Sequence, residues 1–355
     1  MPTGRGRTKR GLLERLEAGP VICAEGYLFA LESRGYLQAG AYVPEAVLEH
    51  PEVVKQLHRE FVRAGSDIVE AFTYYGHREK MRLIGKEDLL EPLNRHALAI
   101  ANEVAGEAEG EPPLVAGNIC NTNLYEPDDQ ATNAVIRAMY EEQVGWAVEA
   151  GVDLIIAETI HYLGEARIAL DVIRETGLPS VVTLVVHREG VLRDGHAPGV
   201  ACKILEDAGA DVVGLNCARG PATLLPFVRE VRDTVSGHVA ALPVPYRTSA
   251  NEPTFQSLRD PGCDCIPDDR PFPIALDAFT CNRFEIGAFA AEAYAMGVHY
   301  LGVCCGNAPH HTRQMAEALG RQPPASKYSA DMSKHYAFGT DKSLRQHNID
   351  YAEKL

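Results

Sequence analysis

Three cysteines in this chain lie where short apolar runs end. Cys217 follows the run VVGLN, and Cys304 and Cys305 follow the run YLGV. Thiolates are soft ligands that suit zinc, and three of them converging at strand ends predict a zinc site whose fourth position stays open for chemistry. Zinc held by three thiolates is electron-rich, so such a site favours holding a substrate thiol as a thiolate over ionising water.

The adjacent cysteine pair imposes a geometric condition. Neighbouring side chains of a regular strand point to opposite faces, so Cys304 and Cys305 can reach one metal only if the strand breaks there. Gly306, followed by Asn-Ala-Pro, provides the break. The alternative is that such cysteines are buried as small apolar residues. That is our interpretation of four others, Cys23, Cys120, Cys202 and Cys281.

The cysteines are positioned by a regular alternation of short apolar runs and amphipathic stretches. The runs predict eight strands, at 21–24, 67–72, 114–119, 153–157, 180–185, 212–216, 239–243 and 300–303. Helical spacing of apolar residues predicts helices at 51–64, 136–150, 165–176, 200–208, 224–235, 284–295 and 311–319. Several of them end at a glycine of the kind that adopts a left-handed backbone: Gly65, Gly151, Gly177, Gly209 and Gly297.

Eight such units in series predict an α/β fold with a single (β/α)8 TIM barrel, and a doubly wound open sheet is the alternative. Active sites of TIM barrels lie at the carboxyl ends of the strands and in the loops that follow. We therefore expect residues distant in sequence to meet there: Glu25, Tyr74, Tyr75, Glu158, Cys217, Cys304 and Cys305. Long connections occur at 32–50, 76–89 and 247–276, and connections of this length are usually functional lids or disordered.

Composition limits the functional classes. A net charge of −15 argues against a nucleic-acid partner, and no apolar run is long enough to span a membrane. The basic start lacks the apolar core of a secretion signal, so the nine cysteines indicate reduced thiols in the cytoplasm, with Cys263 and Cys265 interpreted as incidental. We expect a disordered lead-in at 1–10, the barrel at 11–321, and a short C-terminal extension at 322–355 that is disordered or packs on a partner subunit in a homo-oligomer.

Several segments carry a resemblance to a known family. The segments 44–52 (PEAVLEHPE), 56–61 (QLHREF), 63–66 (RAGS) and 72–75 (FTYY), together with GLNC at 214–217 and GVCCG at 302–306, closely resemble the betaine–homocysteine S-methyltransferases. These form part of the zinc-dependent homocysteine S-methyltransferase superfamily. The likeness runs from about residue 11 to residue 321, and the two cysteine motifs together are highly specific.

The resemblance implies a methyltransferase of methionine biosynthesis. Cys217, Cys304 and Cys305 would be the zinc ligands and catalytic residues, and homocysteine the methyl acceptor. Glu158 would pair with the substrate ammonium group, although a buried carboxylate can also stabilise a local network. The donor would be a quaternary ammonium compound, recognised by aromatic faces. The implied substrate site comprises Glu25, Gly26, Tyr42, Thr73, Tyr74, Tyr75, Glu158, Thr159 and Asn216.

Three departures from the family pattern concern the substrates. Tyr42 replaces a tryptophan, Thr159 replaces a tyrosine, and Ala24-Glu25-Gly26 replaces Asp-Gly-Gly. Loss of an aromatic wall at Thr159 predicts a donor bulkier than glycine betaine, such as proline betaine or carnitine. Tyr42, Tyr74 and Tyr75 would form the cage, or would simply cover the barrel mouth. The alternatives are a sulfonium donor such as S-methylmethionine or dimethylsulfoniopropionate, and a zinc-binding barrel without activity.

Overall fold

Eight parallel strands close into a barrel. The computed structural model describes residues 9–108 and 110–355. Its strands are β1 (Val21–Ala24), β2 (Ile68–Glu70), β3 (Leu114–Cys120), β4 (Leu154–Ile160), β5 (Ser180–Leu184), β6 (Val212–Asn216), β7 (His238–Leu242) and β8 (Tyr300–Val303). Each strand pairs with the next in chain order, and β8 returns to β1. The predicted TIM barrel is therefore confirmed, and the open sheet is excluded.

Helices surround the barrel and cover both its ends. In chain order they are α1 (Leu12–Ala18), α2 (Tyr27–Glu32), α3 (Ala46–Glu49), α4 (Pro51–Ala64), α5 (Arg78–Ile84), α6 (Leu90–Gly106), α7 (Gln130–Glu149), α8 (Leu163–Thr176), α9 (Pro198–Asp207), α10 (Pro221–Thr234), α11 (Arg283–Ala295), α12 (Pro309–Ala318) and α13 (Gln346–Ala352). Short 3-10 turns include Glu87–Leu89, Phe255–Ser257, Asp277–Phe279, Pro324–Tyr328 and Met332–Lys334.

All seven predicted helices are present, and most begin slightly earlier than predicted. Helix α7 begins at Gln130 because the side chain of Asp129 accepts hydrogen bonds from the first-turn backbone N–H groups. The five predicted left-handed glycines all have positive φ. Helix α6 was not predicted from the sequence. Its buried residues include Leu93, Ala97, Ala101 and Val104, a helical spacing that the sequence already contained.

The barrel interior is filled in layers because alternate residues of each strand point inwards. At the amino ends, Leu12 and Leu16 of α1 close the barrel and pack with a cluster that includes Ile68, Ile156 and Tyr300. The same alternation continues towards the carboxyl ends, where the inward positions become polar. The inward positions of β2, β3, β4 and β6 are first occupied by Ile68, Ala116, Ile156 and Gly214. Two residues further along the same strands, they are occupied by Glu70, Asn118, Glu158 and Asn216.

The segments outside the barrel were predicted with less detail. Of the predicted lead-in, residues 1–8 lie outside the described part of the chain, whereas Lys9 contacts Asp153 at 2.5 Å. In the extension, Tyr328 lies against α4, with the Arg63 guanidinium 5.5 Å from its ring centroid. Cys263 and Cys265 form a disulfide, so the prediction that all nine cysteines are reduced is wrong for this pair. Among the described residues, no helix has the length and apolar character needed to cross a membrane.

The inner face of α4 carries a histidine, His58, that is difficult to protonate because it is buried in the core. His58 is 1 % exposed, and neither ring nitrogen has a hydrogen-bond partner among the described residues. Its ring packs edge-on against Tyr27, with centroids 4.8 Å apart. Burial lowers the pKa of His58 from 6.5 to about 3. The unfolded chain therefore binds a proton below pH 6.5 that the folded chain excludes.

This difference predicts an acid sensitivity that can be assigned to one residue. Because the folded-state pKa is depressed, the stabilising contribution of neutral His58 is present above its unfolded pKa and decreases as the pH falls. Between pH 7 and pH 5 the wild type should lose about 2 kcal/mol of unfolding free energy more than His58→Leu does. Urea denaturation of both proteins at the two pH values measures this difference. An equal loss in both proteins would contradict it.

Candidate active site

The three predicted ligand cysteines meet at the carboxyl end of the barrel. Cys217 follows β6, and Cys304 and Cys305 follow β8. The Sγ atom of Cys305 lies 3.8 Å from that of Cys217 and 3.8 Å from that of Cys304. All three sulfur atoms lie within 4.8 Å of one another. The three side chains are buried, so the thiol groups form a compact cluster beneath the barrel mouth.

Unusual backbone conformations direct these thiols towards one another. Cys217 and Ala218 have left-handed φ values of 60° and 54°, which end β6 abruptly and turn the thiol inwards. After β8, the chain turns at Gly306, where φ is 95°. The predicted break of the strand is therefore present, and it allows both adjacent cysteines to face the same point.

The cluster has the dimensions of a tetrahedral metal site. With Zn–S bonds of about 2.3 Å, two ligand sulfurs of a regular tetrahedron lie about 3.8 Å apart. The two sulfur separations that involve Cys305, both 3.8 Å, match this edge. Three thiolates leave the fourth corner for another ligand. The residues present therefore fit a thiophilic metal ion such as zinc.

The cluster shares negative charge unequally when no metal compensates it. Thiol hydrogen bonds from Cys304 and Cys305 lower the pKa of Cys217 well below its usual value. The same hydrogen bonds, together with burial, raise the pKa values of Cys304 and Cys305. One thiolate stabilised by two thiols is therefore the arrangement of the metal-free site, and a dication would favour ionisation of all three.

A layer of buried carboxylates and amides lies beside the cysteines. Asn118 donates one amide hydrogen bond to Glu70 at 2.7 Å and another to Glu158 at 2.8 Å. Asn216 donates to Glu158 at 3.0 Å and to Glu25 at 3.4 Å. Glu25, Glu158 and Cys304 bring their ligand atoms within 4.8 Å of one another. This layer arises directly from the inward-facing positions of the strands, with Glu25 added by the loop after β1.

No cationic side chain in the described part of the chain pairs with these carboxylates. Burial raises the pKa of Glu158 to about 7. Burial, followed by repulsion from Glu158 and Glu70, raises the pKa of Glu25 well above its usual value. One oxygen of Glu25, Oε1, is enclosed without a hydrogen-bond partner among the described residues. A cation of the size of an ammonium group would satisfy this oxygen and favour the ionised carboxylates.

The acidic layer lines a small pocket beside the cysteines, and a larger cavity opens above them. It has a volume of about 420 Å³, and its walls include Tyr42, Tyr74, Tyr75 and Thr159 as well as Cys217 and Cys305. Further aromatic rings line it at Phe29, Phe255 and Phe272. Tyr74 and Tyr75 lie with ring centroids 4.4 Å apart, and Phe29 stacks on Tyr42 at 5.8 Å. The structure therefore brings the three tyrosines to one cavity beside the thiols.

The remaining predicted residues have mainly structural contacts. The Thr73 hydroxyl donates to the Asn118 carbonyl at 2.8 Å, which links the ends of β2 and β3. Thr159 has a left-handed φ of 57°, and its N–H donates to the Asn216 side-chain oxygen at 3.0 Å. Gly26 lies directly against the Cys304 carbonyl. The roles of Thr73, Thr159 and Gly26 towards substrates stay predictions.

The sequence analysis missed several residues that line the site. Glu70 and Asn118 lie at inward positions of predicted strands, so the strand alternation contained the signal. His161 and His187 follow β4 and β5 and line the larger cavity. The rule that selected Glu158 and Cys217, proximity to the carboxyl end of a strand, would have selected both histidines. Phe255 and Phe272 come from the long connection after β7, where the sequence offers no periodic signal.

Comparison with known proteins agrees with this geometry. The sequence profile of the family described as homocysteine S-methyltransferase matches residues 26–319 of the chain. The chain belongs to this family. The family resemblance and the enzyme class predicted from the sequence, a homocysteine S-methyltransferase, are therefore confirmed.

Relatives within the family differ in the donor that their names give. Betaine–homocysteine S-methyltransferase 1 of Xenopus tropicalis is 36% identical, with 100% of this chain and 87% of that protein covered. S-methylmethionine–homocysteine S-methyltransferase of Mus musculus is also 36% identical, over 97% of this chain and 90% of that protein. The metallated form of the Escherichia coli homocysteine methyltransferase MmuM shares the fold, with a TM-score of 0.67 and 15% identity over 86% of this chain and 99% of that one.

The close contact at Gly26 predicts a specific effect on metal binding. A Cβ atom at Gly26 would lie 2.4 Å from the Cys304 carbonyl oxygen, so Gly26→Ala should displace the paired cysteines. Gly35 has a similar φ, +80° against +87°, but open space around it, so Gly35→Ala is a matched control for backbone strain. We expect Gly26→Ala to lose zinc to a chelator at concentrations where the wild type and Gly35→Ala retain it. Equal zinc retention by all three proteins, measured by elemental analysis, would contradict this.

Proposed function

We propose that this protein transfers a methyl group from a quaternary ammonium donor to homocysteine, giving methionine and a tertiary amine, with zinc as its metal. One observation carries the proposal. Three buried thiols with tetrahedral spacing lie between a layer of unpaired carboxylates and an aromatic cavity. This order of groups suits an amino-acid thiol on one side and a cation on the other.

The carboxylate layer would hold the acceptor. Homocysteine carries an ammonium group and a thiol on one short chain. Glu158 and Glu25 are placed to accept hydrogen bonds from the ammonium group, since their ligand atoms lie within 4.8 Å of Cys304 Sγ. Asn118 and Asn216 fix the orientation of Glu158 through hydrogen bonds of 2.8 Å and 3.0 Å. With the ammonium group held there, the substrate thiol would lie at the cysteine cluster.

Cys217, Cys304 and Cys305 would hold the metal. Bound zinc would keep a substrate thiol as its thiolate near neutral pH. The protein residues would contribute alignment, because methyl transfer requires the sulfur, the methyl carbon and the leaving nitrogen to lie in line. No protein base is needed at the methyl group, which is consistent with a cavity lined by aromatic rings on the donor side.

The aromatic cavity would hold the donor. A quaternary ammonium group cannot donate or accept conventional hydrogen bonds, and each aromatic face contributes about 0.5–2 kcal/mol to its binding. Tyr42, Tyr74 and Tyr75 are the proposed cage. The volume of about 420 Å³ and the short side chain of Thr159 favour a donor larger than glycine betaine.

A sulfonium donor is the second candidate. The S-methylmethionine-dependent relative of Mus musculus matches the chain at the same 36% identity as the betaine-dependent relative of Xenopus tropicalis. Aromatic rings bind sulfonium and ammonium cations by the same electrostatic attraction, so the cage is compatible with both.

We propose the cytoplasm as the location, which suits a site built from free thiols.

A donor panel tests the proposal. Zinc-loaded protein and homocysteine are supplied with glycine betaine, proline betaine, carnitine, S-methylmethionine or dimethylsulfoniopropionate, and methionine is quantified. We expect a larger ammonium donor to give the highest kcat/KM, and Thr159→Tyr to shift the preference towards glycine betaine by roughly tenfold or more, since a ring placed there fills the cavity. The matched control is Thr176→Tyr, at the end of α8 and away from the cavity.

Each outcome of the panel has a defined meaning. Highest activity with glycine betaine would contradict the proposed donor size, and highest activity with a sulfonium compound would contradict the ammonium donor. Absence of methionine with every donor, although zinc and homocysteine bind, would contradict the proposed function and favour a zinc-binding barrel without activity.

A further inference from the structure

The larger cavity has a second wall that the cation site does not use. Beyond Thr159, its lining passes to His161, His187, Arg188, Glu189 and Arg193. These residues come from the ends of β4 and β5 and from the loop that follows β5. The cavity therefore changes from thiols and aromatic rings at one side to two imidazoles, two guanidinium groups and one carboxylate, that of Glu189, at the other; we call this side the basic wall.

The loop after β5 is fixed against the end of β4. The Arg193 N–H donates to the His161 carbonyl at 3.0 Å, and the His187 N–H donates to the Val191 carbonyl at 3.0 Å. The Arg219 guanidinium donates to the Val186 carbonyl at 3.1 Å, which holds the start of the loop. The basic wall is thus part of the folded barrel mouth and is held by several backbone contacts.

The two histidines share one hydrogen bond. His161 Nδ1 lies 3.1 Å from His187 Nε2, so one ring donates a proton and the other accepts it. Burial, followed by the positive charge of Arg193, lowers the pKa of both rings, for His161 to about 3. Both rings are therefore neutral in the empty site. His161 Nε2 and His187 Nδ1 have no hydrogen-bond partner among the described residues and are not enclosed by them.

The neighbouring guanidinium group, that of Arg193, also has no carboxylate partner in the described part of the chain. Arg193 forms no ion pair with any described carboxylate, whereas Arg247 on the same side of the barrel pairs with Glu285 at 2.7 Å. Arg193 lies over the Tyr162 ring, with its central carbon 5.8 Å from the ring centroid. A guanidinium group held against an aromatic face keeps its N–H donors directed outwards at its edge, where they suit a carboxylate.

We propose that His161, His187 and Arg193 form an anion subsite that binds a carboxylate of the methyl donor. The inference rests on the proposed function and extends it from the cation to the other end of the donor. The donor is then an onium compound with a carboxylate separated from the methylated centre by the width of the cavity. Its positive group lies at the tyrosines beside the thiols, and its negative group lies at the basic wall.

This polarity explains how the cavity selects among onium compounds. A donor with only a positive charge would leave the Arg193 guanidinium uncompensated and would place apolar carbon against the ring nitrogens. A carboxylate accepts charge-assisted hydrogen bonds from the Arg193 guanidinium and from the one outward ring nitrogen of the histidine pair that carries a proton.

A matched pair of donors tests the subsite. 4-Trimethylammoniobutanoate and butyltrimethylammonium have the same chain length and differ only in the carboxylate. With zinc-loaded protein and homocysteine, we expect kcat/KM to be roughly tenfold or more higher for the carboxylate donor, the factor that corresponds to one charge-assisted hydrogen bond. Arg193→Gln should reduce this advantage by about the same factor, because only the carboxylate donor loses a charge-assisted hydrogen bond.

Two controls separate this inference from the proposed function. Arg229→Gln removes the same charge from α10 outside the cavity and should keep the wild-type preference. Calorimetric binding of both donors is measured on the same proteins, so the subsite is tested even if no methyl group is transferred. Equal kcat/KM and equal affinity for the two donors in the wild type would overturn the subsite. An equal loss of kcat/KM and of affinity for the two donors in Arg193→Gln would also overturn it.

Discussion

The active-site chemistry depends on one electrostatic constraint, the burial of acidic groups at the carboxyl end of a closed barrel. Strand alternation directs Glu70, Asn118, Glu158 and Asn216 to the interior, where water cannot solvate them. The amides of Asn118 and Asn216 donate hydrogen bonds to the carboxylates of Glu70 and Glu158. The negative charge of these carboxylates has no cationic partner among the described residues around them. Positive charge, from the proposed metal ion at the thiols and the proposed ammonium group at the carboxylates, would offset this buried negative charge.

The same constraint organises the two sides of the thiol cluster. The acidic layer below would accept the ammonium group of the acceptor, whereas the cavity above is lined by neutral aromatic rings and then by a basic wall. An amino-acid acceptor and a zwitterionic donor would thus enter with complementary charges, and their reactive atoms would meet at the cysteines. Backbone geometry supports this arrangement, because Gly26 and Gly306 allow the paired cysteines to approach β1 and Tyr246 closely.

Much of this arrangement could be predicted from the sequence. The eight strands, the closed barrel and the strand-end cysteines follow from periodicity and spacing. The helical spacing of α6 and the inward positions of Glu70 and Asn118 were also present in the sequence, although none of the three was predicted. The contribution of Phe255 and Phe272 could not be predicted, since it depends on how a long connection folds over the mouth. The basic wall likewise depends on contacts between two loops.

We propose that Cys217, Cys304 and Cys305 hold zinc with one position available to the substrate thiol. Zinc X-ray absorption spectroscopy of the metal-loaded protein, with and without homocysteine, measures this directly. We expect three sulfur neighbours at about 2.3 Å and one lighter ligand without substrate, and four sulfur neighbours with homocysteine. A sulfur count that stays unchanged when homocysteine binds would contradict it.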